Sequence, residues 1–542
     1  MTDRLRQIRE SFSGCPTILK PLNFFELLNA FQLLNVFELI NAFELMNASR
    51  TMTACKPISS RRLMSHRHQL RSAALAAMAA LPWALASLPA ARGQTPTPSI
   101  KPTATTQLRP QQLAPLPGGL DGVLMVNDNN PELISGPGIL LSTFEGSGRG
   151  VPAAHLDLPL NGRFDLFSHH VYAGTPASSS STMWLAVLAQ PRGNRSGTLR
   201  LVDGATALSQ SLDPSQPSAP FLPLPALLAQ GIEPAYSGPG SRVATELLSR
   251  GPRGLFPDSW TLTPAAPTTL MVLPLPVRGL DPLLNGRNLQ LRLNSDVPVD
   301  LALLAGFGEG DQPPTAEYWA TLLQGPLSPK EHLPTPRGAS GSIIYSRVSG
   351  VQLGSRWRAR ITDPGQRWLS TSRAPISWPI ASLERGSLGT GQSQTAELRR
   401  FYRGTAWAAH GNYGVEYEIT MPLRNSSQRP EQLQLALESP IKGDLNQGGL
   451  RFYNQPAKAV MFRGTVEVSG LDGEGGRASG RQAFHLVLRA GQQGPRLGLI
   501  SLPPGHSREL RVRLIYPADA TPPQVLSLLP VKQSEQSPTT AP

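Results

Sequence analysis

WLAVLAQPRGNRSGTLRLV, residues 184–202, runs from one apolar segment through a polar, Gly-bearing turn into a second apolar segment. Both segments have strand length, and the second alternates apolar and polar positions. YEITMPLRNSSQRPEQLQLAL (417–437) follows the same scheme. TLTPAAPTTLMVLPLP (261–276) and ISLPPGHSRELRVRLIYP (500–517) share a second one, a Pro-containing turn ahead of an apolar-rich strand. Between these lie further short runs such as GILL (138–141) and LQLRL (289–293). Asn161-Gly162 and Asn285-Gly286 carry the signature of two-residue hairpin turns, because both residue types tolerate positive φ. One segment differs: PTAEYWATLLQ (314–324) has i, i+4 apolar spacing behind Thr315, which predicts a short capped helix. The expected fold is mainly β, with two tandem β-sandwich-like domains at 119–312 and 341–528. A short helix and loop connector occupies 313–340.

Composition agrees with this. Gly and Pro make up 104 of 542 residues, while charged residues are only 16%. They show no fixed period, which excludes a collagen. They recur too often for long helices and fall short of the content of a disordered chain. The excess lies between strand-length runs, as the turns of a large β protein require.

The first 91 residues differ from the rest. They hold both cysteines, Cys15 and Cys55, and ten Lys/Arg against five Asp/Glu. Of the net +13, this leaves +8 on a cysteine-free remainder, which excludes a disulfide framework and a thiolate nucleophile there. Residues 1–51 contain a hexapeptide repeat with Asn at 23, 29, 35, 41 and 47. Six is neither a helical nor a useful strand period. The stretch reads as a non-native or disordered extension, with Met52 or Met64 as the expected start. Residues 52–91 read as a signal region: Arg61, Arg62, Arg67 and Arg71, then the Ala-rich apolar run 72–88, then Ala90 and Ala91. Seventeen residues broken by Pro82 are short for a membrane span of ~20. The chain is therefore expected to be exported to the periplasm or outer cell surface, with no stable transmembrane segment after cleavage. The Pro/Thr/Gln-rich 92–118 reads as a linker and 529–542 as a disordered tail.

No nucleophile elbow, zinc helix or phosphate loop is present. Scarce histidines cluster at His155, His169 and His170 with Asp157 between them. If Asn161-Gly162 were a turn, His155, His170 and Asp157 would share a face and could hold a divalent metal. A hydrogen-bonded polar pair is the ordinary alternative, and no cofactor is expected. His410 precedes a strand in which Glu416 and Glu418 share one face, an arrangement suited to acid–base work on a glycan or to a solvated surface. Arg356, Arg358 and Arg360 alternate with Trp357 and Ala359. With Trp357 in the core they form a basic surface, to which Trp368 and Tyr413 could add sugar-stacking rings. Such a surface suits envelope polysaccharide or another anionic polymer, and no nucleic-acid motif accompanies it.

The stretches at 139–174, 341–365, 406–425 (AWAAHGNYGVEYEITMPLRN), 444–468 and 515–528 (IYPADATPPQVLSL) resemble an uncharacterised family of exported cyanobacterial proteins, a domain of unknown function covering about 110–528. The resemblance implies export and supplies no activity. The expectation is a non-enzymatic envelope module that binds glycan or another anionic polymer. The alternatives are a hydrolase of envelope polysaccharide and a metal-binding periplasmic protein.

Overall fold

The computed structural model describes residues 105–531 apart from 175–181, 212–223, 232–236, 250–255, 311, 332, 337–338, 341–346 and 410. The extension, the signal region, most of the linker, nearly all of the tail and His410 lie outside the described residues. What is described is mainly β, with four sheets and two α-helices.

The 11-stranded sheet is built on one long strand, Leu284–Phe307. Its first half pairs antiparallel with Leu160–Ala173 on one side and Gly197–Leu208 on the other. Its second half pairs with Thr182–Pro191 and Gly138–Ser142. Asp296, Val297 and Pro298 fall between the two sets of partners, where register shifts. Leu160, Phe164, Leu166, Leu199, Leu291, Leu293 and Leu301 fill the core between the folded halves of this sheet.

A second core lies between the 8-stranded and 5-stranded sheets. Trp357, Tyr417, Val466, Phe484, Leu510 and Val512 enter it from the 8-stranded sheet. Trp378, Leu435, Ile500 and Leu526 meet them from the 5-stranded sheet. The alternation read in Arg356–Arg360 and Glu416–Arg424 places these apolar side chains inward and the charged ones outward.

Strands from before and after 313–340 share sheets. Ser349–Leu353 pairs with Leu124–Asp128 in the 11-stranded sheet. Gly119–Leu120 pairs with Arg356–Arg360, and Leu227–Gln230 pairs with Gln482–Arg489, in the 8-stranded sheet. The helix Ala316–Leu322 forms behind Thr315, whose hydroxyl accepts from the Tyr318 N–H. It buries Trp319 against Ile139, Phe144 and Leu304 of the first half.

The end of the stretch read as a linker is ordered. Thr106–Pro110 pairs antiparallel with Gly449–Tyr453, and Gln112–Leu113 runs parallel to Ile376–Ser377. Arg109 fixes this end: its guanidinium grips the buried Glu438 carboxylate through two nitrogens and lies 4.9 Å from the Phe452 ring centre.

A second helix, Pro239–Ser249, wedges between strands Gly197–Leu208 and Val460–Ser469. Its Leu247 and Leu248 pack on Ala205, Ala207 and Ile515. At its first turn the Ser241 N–H donates to Asp519 Oδ2 at 2.8 Å. Burial raises the Asp519 carboxyl to about 7, against the opposing pull of this N–H and of Arg463. Gly414 lets the loop ahead of Glu416–Arg424 close on Phe167 of the 11-stranded sheet. Its φ is +78°, and a Cβ there would lie 2.8 Å from the Phe167 ring.

Candidate functional site

The outer face of the 8-stranded sheet carries rows of alternating charge. Arg356–Arg360 and Glu416–Arg424 are parallel neighbours, so Arg356 stands beside Glu416 and Arg358 beside Glu418. Ser507–Ile515 lies antiparallel on the far side of the 416–424 strand, setting Arg513 opposite Glu418 and Arg511 opposite Thr420. Val460–Ser469 then sets Glu467 opposite Arg513 and Ser469 opposite Arg511. One row thus reads Arg358, Glu418, Arg513, Glu467 across four strands, and the next reads Arg360, Thr420, Arg511, Ser469.

Glu416 is the anchor of this face. Its Oε1 accepts from Arg513 at 2.6 Å, and its Oε2 accepts from Arg292 at 2.7 Å and Arg356 at 3.0 Å. Burial alone would raise its carboxyl, but Arg292, Arg513 and Arg356 outweigh burial and hold it down at about 2. Arg292 belongs to the long strand of the other sheet, so this carboxylate ties the two sheets together. A carboxyl ionised down to such low pH has no proton to deliver to a leaving group near neutrality.

Glu418 is more exposed and accepts from Arg358 at 3.1 Å. Arg358, Arg360 and Arg511 leave 64%, 56% and 69% of their side chains in solvent. Of the expected arginines, Arg358 and Arg360 face solvent, beside Glu418 and 3.6 Å from Glu509 respectively, whereas Arg356 turns to Glu416 and Glu418; Trp357 is buried beneath them. Arg399 and Arg400 sit on a strand of the 11-stranded sheet, Leu398–Phe401. The sequence reading missed Arg513, Arg511, Glu467, Arg481 and Ser469. The alternation Arg511, Arg513 in RELRVRL was the available signal.

The expected sugar-stacking rings are otherwise employed. Tyr413 is buried: its hydroxyl donates to the Ala520 carbonyl at 2.8 Å, and its ring stacks on Phe167. Burial raises its phenol well above the ordinary value. Trp368 lies half-buried with the Arg424 guanidinium 4.9 Å from its ring centre.

The histidine cluster is dispersed. Asn161-Gly162 makes no hairpin, because Leu160–Ala173 runs straight through it as a strand paired on both sides. Gly162 does take positive φ, at the register shift. His155 Nδ1 bonds Ser142 Oγ at 2.8 Å, and burial, then Arg149, lower it to about 4. His170 lies between Asp128 Oδ2 at 2.8 Å and the Pro131 carbonyl at 2.7 Å. His169 is 3.9 Å from Glu132, and burial, then His170 and Arg347, lower it to about 3. Asp157 pairs with Arg192 at 2.7 Å. Among the described residues no three His, Cys, Asp or Glu side chains gather as a metal site.

Beside the charged rows opens a cleft of about 320 Å³, lined by Glu467, Ser469, Arg481, Arg511 and Arg513. Among the described residues no helix is long and apolar enough to cross a membrane.

No curated protein matches the chain. Among solved structures, the N-terminal CBM22-1-CBM22-2 tandem domain from Paenibacillus barcinonensis Xyn10C aligns over 75% of this chain and 94% of its own. The identity is 8% and the TM-score 0.11, a likeness that carries no argument. The sequence pattern described as "Protein of unknown function (DUF3370)" matches residues 111–530, and the chain belongs to that family.

Proposed function

We propose that this protein is an exported cell-envelope module that binds an acidic polysaccharide of the envelope and does no chemistry on it. In this reading the 8- and 5-stranded sheets form a β-sandwich-like layer pair whose outer face meets the polymer. The observation that carries the reading is the pair of charge rows, in which Arg358, Arg360 and Arg511 extend into solvent from a rigid sheet. Guanidinium forks suit carboxylate and sulfate groups, and spacing them on neighbouring strands suits a repeating ligand. The export signal expected at 52–91 would carry a remainder of net +8 to where anionic glycans occur, which supports the reading. The hydrolase alternative loses support from Glu416, whose carboxylate is buried and already engaged by three arginines.

The test is retention of purified protein on immobilised acidic exopolysaccharide, lipopolysaccharide and peptidoglycan, with a neutral glucan as control. Binding to an acidic polymer at about 0.15 M salt that weakens as salt rises is expected. An Arg358→Glu/Arg360→Glu variant should lose at least about tenfold of that affinity, roughly 1.4 kcal/mol. Equal retention on the neutral glucan, or none on any acidic polymer, overturns the reading.

A further inference from the structure

The cleft next to the charge rows has unspent hydrogen-bonding capacity. Arg481 uses one nitrogen, Nη1, for both of its contacts, Glu467 at 3.3 Å and the Leu248 carbonyl at 3.3 Å. Among the described residues its Nε and Nη2 meet no acceptor. Arg511 turns Nε and Nη2 toward Glu509 Oε1, both at 2.9 Å, and its Nη1 meets no acceptor among the described residues. Ser469 stands directly opposite Arg511 in the register, and its hydroxyl has no partner among the described residues. The one acidic wall residue, Glu467, is nearly buried and already matched by Arg513 at 2.9 Å and by Arg481. Three arginines against one carboxylate leave the lining at net +2.

We propose that this cleft is an anchoring subsite for one acidic sugar unit, its carboxylate or sulfate ester held between Arg481 and Arg511 and a ring hydroxyl meeting Ser469. The proposal rests on the polymer-binding reading and localises it. Size and lining select the ligand class. About 320 Å³ lies at the small end of ligand sites and exceeds what a bare ion needs. None of the five lining residues is aromatic or aliphatic, so a nucleobase finds no stacking ring there. A polyhydroxylated anion matches every group present. The subsite also touches the helix Pro239–Ser249, because Arg481 holds a carbonyl of its last turn.

Titration calorimetry with short, defined oligosaccharides tests this. The probes are an oligouronate, a sulfated oligosaccharide, a neutral oligosaccharide of equal length and sodium sulfate alone. One or both acidic oligosaccharides should bind the full-length protein and the neutral one should not. Which acidic probe binds tells carboxylate from sulfate ester. Arg481→Ala/Arg511→Ala should weaken that binding at least tenfold while melting like the parent, and Arg399→Ala/Arg400→Ala, on the 11-stranded sheet, should leave it within twofold. Arg481→Lys/Arg511→Lys should restore part of the affinity through charge without the fork. If the Arg481/Arg511 variant keeps full affinity while acidic polymer is still retained, the subsite is wrong and the polymer reading stands. If sodium sulfate binds as tightly as the oligosaccharides, the cleft is an anion site and the sugar assignment falls. If neither oligosaccharide nor polymer binds, both proposals fall.

Discussion

Glu416 shows how one side chain can look catalytic in sequence and serve as a tether in the fold. The alternation around it was legible: Tyr417 and Ile419 point inward as read, and Glu416 and Glu418 share the outer face. What the sequence hides is that Arg292, 124 residues earlier, reaches the same carboxylate. Because its folded value is depressed, Glu416 contributes stability that is present above its ordinary 4.5 and disappears as pH falls toward about 2. That shift corresponds to about 3 kcal/mol. Glu416→Gln should cost about 3 kcal/mol in denaturant unfolding at pH 7, because Arg292 loses its nearest carboxylate while Arg513 and Arg356 are left with Glu467 and Glu418 alone. The variant should also flatten the acid dependence below pH 4.5. A loss below 1 kcal/mol would show that the arginines re-pair easily.

Among the elements, the helix after Thr315 was readable because its signals are local: a cap and i, i+4 apolar pairs. Thr315→Ala should cost about 1 kcal/mol in the same unfolding measurement. Asn161-Gly162 was misread because the dipeptide reports only a tolerance for positive φ, which a register shift within a strand satisfies as well as a turn. The helix Pro239–Ser249 escaped the reading, since Pro and Gly at its start resemble a loop. Its docking has its own pH signature. The fold favours protonated Asp519, so this group's contribution to stability is full below its ordinary 3.8 and is lost as pH rises through about 7. The steepest loss is about 1.4 kcal/mol per pH unit. Asp519→Asn keeps an oxygen for the Ser241 N–H and should make chemical-denaturation midpoints nearly constant over that range. A variant that still loses stability as steeply as the parent would exclude Asp519 as the source.

For the whole molecule, the β character and the approximate extent of the folded region were legible, since apolar runs have strand length and burial alternates along strands such as Arg356–Arg360, Glu416–Arg424 and Ser507–Ile515. Which strand pairs with which was not, because pairing leaves no mark in a strand's own pattern. Strands from the two halves interleave in both large sheets, and Glu416 bonds across them. Heat or denaturant should therefore unfold the chain in one cooperative transition, with coincident near- and far-ultraviolet circular dichroism. Fragments 119–312 and 341–528, expressed separately, should each lack dispersed amide resonances. A natively dispersed spectrum from either one would show that the shared strands are dispensable.

The pairing of Thr106 with Tyr453 sets a timetable for biosynthesis. Among the described residues this is the first strand in the chain, and its partner emerges 347 residues later. At about 5–20 residues per second, that is on the order of twenty seconds to a minute. Throughout that interval its hydrogen-bonding edge is open to other nascent chains. The Pro-bearing, weakly apolar TQLRP is suited to that wait: a segment that pairs poorly with strangers can remain idle until the last third of the polypeptide arrives.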